Sequence, residues 1–180
     1  MRSGTQAEPS SQQARFLSII EQYKPALRRL VNSYETNAAR RDDLFQEIAL
    51  GLWQALPHFR GESSERTWLY RIAHNIAISA LASHRRRDHR ELPLPDSMEP
   101  ASRLAHPDGT LVADEQRQML VAAIRELPPV DKQLILLHLE GLSYQEIEEI
   151  SGLSESAIAS RLSRARDRLT EAIRQKEVRT

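Results

Sequence analysis

The stretch "LPLPDSMEPASRLAHPDGT", residues 92–110, constrains the fold more than any other part of the chain. It holds four of the nine prolines and a glycine, with little apolar periodicity. Proline removes a backbone N–H and clashes with the preceding turn, so a regular helix does not run through such a run, and a central strand does not either. The segment therefore reads as a linker. On both sides the apolar residues recur at helical spacing, and no strand alternation of any length is present. The expected fold is all-α, with two small helical domains joined by a flexible linker. The expected limits are a disordered tail over 1–14, a first domain over 15–91, the linker over 92–111 and a second domain over 112–176.

In the first domain, Phe16, Ile19, Ile20, Tyr23, Leu27, Leu30, Val31 and Tyr34 follow the i, i+3, i+4, i+7 pattern of a helix with one buried face. Pro25 interrupts this helix, and a kink is expected there. A second helix is predicted from about Arg40 to Leu56, closed by Pro57, and a third from about Ser64 to Ser83. After the linker come helices near 112–127 and 130–140, separated by "LPP", and then two short helices.

Composition excludes several classes. There is no cysteine, so disulfides and thiolate metal sites are absent and a reducing compartment fits. The N-terminal "MRSGTQAEPSSQQ" has no apolar run of signal-peptide type, and no stretch nears the ~18 apolar residues of a membrane span. The reading is a cytoplasmic protein without membrane insertion. The six histidines are scattered without metal-ligand spacing, so no metal, cofactor or enzymatic site is expected. Net charge is zero, but the charges are unevenly placed. Basic residues outnumber acidic ones 14 to 10 over 1–92 and 7 to 4 over 150–180, whereas acidic residues lead 11 to 4 over 93–149. Two basic segments thus flank an acidic one, which keeps nucleic-acid binding open.

The C-terminal "GLSYQEIEEISGLSESAIASRLSRARDRL" carries its own punctuation. Ser143 and Glu146 form a capping box, Gly152 ends the helix after two turns, and Ser154 can cap the next. Helix, glycine turn, helix is the arrangement used to read duplex DNA. On the last helix Ile158, Leu162, Ala165, Leu169 and Ile173 form the inward stripe. Ser156, Ser160, Ser163 and Asp167 face outward with Arg164 beside them, and Arg161, Arg168 and Arg166 flank the edges. Arginines there reach phosphates and serines reach base edges. The alternative is a solvated basic helix in a plain bundle.

In the first domain, Asp43, Gln46, Glu47, Leu50, Trp53 and Gln54 share the outward face of the second helix, the composition of a protein-binding patch. Trp53 packed under the N-terminal helix or the linker is the equal alternative. The third helix has two apolar stripes, Leu69–Ile72–Ala73–Ile76–Ala80 and Tyr70–His74–Ile78–Leu81. Only a strip of Arg71, Asn75 and Ala82 stays outside, leading to "HRRRDHR" at 84–90. Phe59 and Arg60 sit in a polar glycine loop, where a ring and a cation can stack an unpaired base at roughly 1–3 kcal/mol. Against this stands Phe59 as a hydrophobic plug, with Arg85, Arg86 and Arg87 merely closing a helix C-terminus.

"DLFQEI", "LPHFRG", "TWLYRIAHN", "ELPP" and "EGLSYQEI…GLS…SRLSRARDRL" stand in this order across roughly residues 15–175. The ordered set closely resembles the extracytoplasmic-function (ECF) group of bacterial sigma factors, within the sigma-70 superfamily. The resemblance implies a non-enzymatic initiation subunit that directs core RNA polymerase to promoter DNA. It further implies core binding through Asp43, Leu44, Gln46, Glu47, Leu50 and Trp53. Phe59, Arg60, Trp68, Arg71, Asn75, Arg85, Arg86 and Arg87 would read the −10 element, with a base extruded from the duplex. Tyr144, Ser154, Ser156, Ser160, Arg161, Ser163, Arg164 and Arg166 would engage the −35 element. An anti-sigma factor is the further implied partner. Glu65, Ser79 and Ala82 depart from the family pattern, and "SAIAS" puts Ala157 and Ala159 where a hydroxyl and a base are usual. The alternatives are a sigma-like mimic that sequesters an anti-sigma factor without promoter recognition, and a dimeric helix-turn-helix regulator.

Overall fold

The computed structural model describes the backbone of residues 11–88 and 111–177, and the side chains of 11–83 and 116–175. Most of the expected tail and nearly all of the expected linker lie outside the described residues. Helix α1 (Ser11–Tyr34) begins four residues before the expected domain start. It runs unbroken through Pro25. Pro25 and Glu21, whose carbonyl loses its i+4 donor, are both exposed, which leaves that side of the helix open to solvent.

Helix α2 (Ala38–Ala55) starts at Asn37, whose side chain accepts from Arg40 N at 3.1 Å. A 3-10 turn at Leu56–His58, carrying Pro57, ends it. Ser64 opens α3 (Glu65–Asp88), with its hydroxyl accepting from Thr67 N at 3.0 Å. Beyond the linker lie α4 (Leu111–Arg125) and α5 (Pro129–Leu139), whose first position is proline. The short α6 (Tyr144–Ser151) has the full Ser143–Glu146 capping box and ends at Gly152 with φ 71°. The last helix, α7 (Glu155–Glu177), spans 23 residues. Its expected shortness is thereby corrected: the inward stripe Ile158–Leu162–Ala165–Leu169 continues at the same spacing through half-buried Ile173, and nothing in between stops it.

Helices α1, α2 and α3 form one module around Leu27, Val31, Ile48, Leu52, Leu69 and Ala73, all fully buried. Gly51 lets α2 approach α3 closely, because a methyl group there would collide with Ile76 Cδ1. Helices α4 to α7 form the other module around Leu134, Leu137, Ile147, Ile158 and Leu162.

The two modules pack against each other, α1 on α4 and α3 on α5 and α6. Polar groups tie this junction. Arg29 on α1 donates to both carboxylate oxygens of Glu140, from Nε at 2.8 Å and Nη2 at 2.9 Å. The Tyr70 hydroxyl on α3 donates to Glu140 Oε2 at 3.0 Å, and Arg66 donates to the Glu140 carbonyl. Burial pushes the Glu140 carboxyl up, but the Arg29 and Tyr70 hydrogen bonds more than offset this and hold it below the usual carboxylate range. Arg125 Nε at the end of α4 donates to Asn32 O on α1 at 2.8 Å.

His74 is enclosed in the first module, where its Nδ1 and the Tyr34 hydroxyl share a hydrogen bond of 3.1 Å. Burial lowers its pKa to about 3. The folded protein thus keeps His74 neutral, while the unfolded chain takes up a proton below about pH 6.5. Its stabilising contribution is complete above pH 6.5 and declines as pH falls toward 3. Urea unfolding should show His74 costing about 2 kcal/mol between pH 7 and 5. The Tyr34→Phe/His74→Phe variant should show a shallower acid slope by one proton.

Candidate functional site

The opening loop of α3 builds a pocket. Gly61, with φ 76°, reverses the chain after Arg60. The loop then folds back so that the Phe59 ring lies on Trp68, centroids 4.9 Å apart and planes at 36°. The Arg15 guanidinium of α1 sits over the Phe59 ring at 5.3 Å and 3.8 Å from Glu65. His58, Phe59, Arg60, Glu62, Ser63, Trp68 and Arg71 line the pocket. Among the described residues, Arg71 Nε is the buried side-chain nitrogen with no hydrogen-bond partner. Buried donors of this kind are rare and costly. Asn75 is exposed one turn further along α3.

Phe59 therefore has an aromatic neighbour, where the loop sequence alone left it without one. Arg15 went unnoticed in the sequence because its position depends on how α1 crosses α3. Arg85, Arg86 and Arg87 belong to the last turns of α3, and their side chains lie outside the described residues.

On α2, Asp43, Gln46, Glu47 and Leu50 are exposed, and Leu50 keeps 55% of its surface open. Trp53 is half-buried with its ring edge-on to Phe16, centroids 5.2 Å apart. The N-terminal helix thus claims much of that ring. Leu44, which the resemblance places among the core-binding residues, lies beneath this face. At 4% exposure it packs into the module core, because position 44 shares the inward stripe with Ile48 and Leu52. It supports the face without presenting itself.

On α7, Ser154, Ser156, Ser160, Ser163 and Arg164 are exposed. The edge arginines are tied back to α5. Asp131, whose side chain is only 9% exposed, accepts from Arg161 Nη1 at 2.9 Å and Arg168 Nη1 at 3.2 Å. Arg166 Nη2 donates to His138 Nε2 at 2.7 Å. Tyr144 is half-buried, its ring 6.2 Å from that of His138. Among the described residues no cluster of three or more His, Cys, Asp or Glu is placed to hold a metal ion, and no helix is long and apolar enough to cross a membrane.

The pattern of sigma-70 region 2 matches residues 19–87, and that of sigma-70 region 4 matches residues 117–169. The chain is 32% identical over 162 residues to the ECF RNA polymerase sigma-E factor of Escherichia coli K12, covering 86% of this chain and 84% of that one. It belongs to the ECF sigma factors. The Haemophilus influenzae sigma-E factor is likewise 32% identical, over 93% of this chain and 97% of its own. Among solved structures, the sigma factor RpoE of Bartonella quintana, in complex with the anti-sigma factor NepR, superposes with a TM-score of 0.70. That match has 26% identity and covers 89% of this chain and 97% of RpoE. CnrH, in complex with the cytosolic domain of CnrY, shares the fold with a TM-score of 0.65 at 21% identity. As an ECF sigma factor, the protein directs RNA polymerase to promoters and has no catalytic chemistry of its own.

Because Asp131 pairs with two arginines beside the exposed serine face of α7, its removal has two measurable effects. Asp131→Asn should destabilise the protein by about 1–2 kcal/mol in urea titration. It should also steepen the salt dependence of DNA binding by about one to two counterions, as Arg161 and Arg168 turn to phosphate.

Proposed function

We propose that this ECF sigma factor divides its work among three surfaces. The exposed α2 face, Asp43, Gln46, Glu47 and Leu50 with Trp53 at its edge, docks core polymerase. Leu50 supplies apolar contact and the acids and amides fix register. The loop and α3 residues Phe59, Arg60, Trp68, Arg71 and Asn75 hold the −10 element, with Arg85 to Arg87 attracting its phosphates. The outward serines of α7, with Tyr144, Ser154 and Arg164, engage the −35 element in the major groove.

The observation that carries the reading is the pocket in which the stacked rings of Phe59 and Trp68 stand beside Arg60 and Arg71. Aromatic faces accept any base by stacking, whereas a guanidinium takes an acceptor such as a base edge or phosphate. A base leaving the duplex supplies both. A cytoplasmic location fits this function, and the likeness to the sigma factor RpoE solved with the anti-sigma factor NepR supports an anti-sigma partner.

Transcription in vitro with core polymerase on a genomic promoter library tests the assignment. Leu50→Asp should abolish transcription by weakening core binding at least about tenfold in a pull-down. Arg71→Ala and Asn75→Ala should bind core normally and lose promoter opening, read by permanganate footprinting of unpaired thymines. A wild-type chain that binds an anti-sigma factor but drives no promoter would instead be a mimic.

A further inference from the structure

The Phe59 pocket has a neighbour from outside its own loop and helix. Arg15 stands near the start of α1, and its guanidinium carbon lies 5.3 Å from the centroid of the Phe59 ring. Its ion-pair partner is Glu65 at the first position of α3, with Nη2 3.8 Å from the carboxylate. That separation is too long for a hydrogen bond, so charge alone holds the pair. Among the described residues no hydrogen bond takes any of the Arg15 N–H donors. With 50% of its side chain exposed, Arg15 is within reach of an incoming strand. Tyr23, two turns further along α1, lies near the same carboxylate: burial first and Glu65 second push its phenol above the ordinary value.

The charge around the pocket depends on this residue. Arg60, Arg71 and Glu62 line it, and Glu65 stands beside Arg15. Without Arg15, two guanidinium groups meet two carboxylates and the surroundings are neutral, counting histidine as uncharged. With Arg15 they are net positive. A nucleic-acid strand brings one negative charge per nucleotide, so that surplus is what attracts it. A base stacked on the Phe59 and Trp68 rings keeps its sugar and phosphate at the rim, because a phosphate loses its hydration against an apolar face. Arg15 stands over Phe59 from the α1 side and carries the planar fork that matches phosphate oxygens.

We propose that Arg15 is a further promoter-binding residue, a guanidinium held over Phe59 that grips the phosphate of the nucleotide whose base enters the pocket. This rests on the −10 reading above and adds to that site a residue from α1. The long pair with Glu65 keeps the guanidinium near the ring in the free protein. It yields to phosphate, whose charge-assisted hydrogen bonds are stronger.

The test uses the full chain bound to core polymerase. The probe is a single strand of about 12 nucleotides, selected by the wild-type holoenzyme from a randomised pool after counter-selection on core polymerase alone. Affinity is measured across a salt series. Arg15→Gln should weaken binding about tenfold and lower the slope of log affinity against log salt by about 0.7, the loss of one phosphate contact on a single strand. Arg15→Lys keeps the charge and should keep the slope, with a smaller loss of affinity because an ammonium lacks the fork. Were Arg15 only a prop for Phe59, Arg15→Gln would lower affinity at an unchanged slope. Core affinity should stay within about twofold and helicity by circular dichroism should match the wild type in both variants. An unchanged slope in Arg15→Gln, an equal loss of slope in Arg15→Lys, or a fall in core affinity would overturn the phosphate contact. If Arg71→Ala loses the strand while Arg15→Gln binds like the wild type, the pocket stands and Arg15 is removed from it. A wild-type holoenzyme that selects no strand would overturn the −10 reading of the pocket, and the part of Arg15 with it.

Discussion

Helix α3 is apolar on two sides at once, and every surface of the protein depends on that. One side, Leu69, Ala73 and Ala77, is fully buried, and Gly51 on α2 lets Ile72 and Ile76 approach. The other presents Tyr70 and His74, also buried, to α1 and the second module. A helix held this way cannot rotate. The strip left over, Arg71 and Asn75, is therefore fixed in direction, and the loop before it must fold back over Trp68. A site for single-stranded bases needs such rigidity, because stacking energy is lost when the rings move.

The same doubly apolar pattern explains why the two modules associate. Tyr70 is 2% exposed, and its hydroxyl donates across the junction to Glu140. A tyrosine hydroxyl and two arginines brought this close to apolar surface need acceptors, and one carboxylate with its own carbonyl supplies them. The junction is thus a polar knot set on an apolar seam. Its hydrogen bonds fix the register of contacts that apolar area alone would leave loose.

Much of this was legible in the sequence because it is local. The capping box at Ser143 and Glu146, the glycine stop at 152 and the inward stripe of α7 each follow from a few neighbouring residues. The two stripes of α3 were legible in the same way. What escaped was set by residues far apart in sequence. Trp68 beside Phe59 needs the loop to reverse at Gly61. Arg15 over Phe59 needs α1 to cross the start of α3. Helical spacing already puts Leu44 on the inward stripe of α2 with Ile48 and Leu52, and its place among the core-binding residues came from the family resemblance alone.

The arginines of α7 mark the limit of reading charge from a sequence. Arg161, Arg164, Arg166 and Arg168 look equivalent on a helical wheel. In the fold, two share the Asp131 carboxylate and a third donates to His138, leaving Arg164 on the exposed serine face. Each tie depends on α5 crossing α7 at a particular angle. An arginine already paired with a buried carboxylate must give up that bond before it can hold phosphate, so its net contribution to DNA affinity is smaller than its charge suggests. With Ala157 and Ala159 on the same helix offering no side-chain donor, few direct polar contacts remain for base readout. Under the proposed docking of α7 on the −35 element, discrimination falls more heavily on the serine hydroxyls and on the shape of the groove.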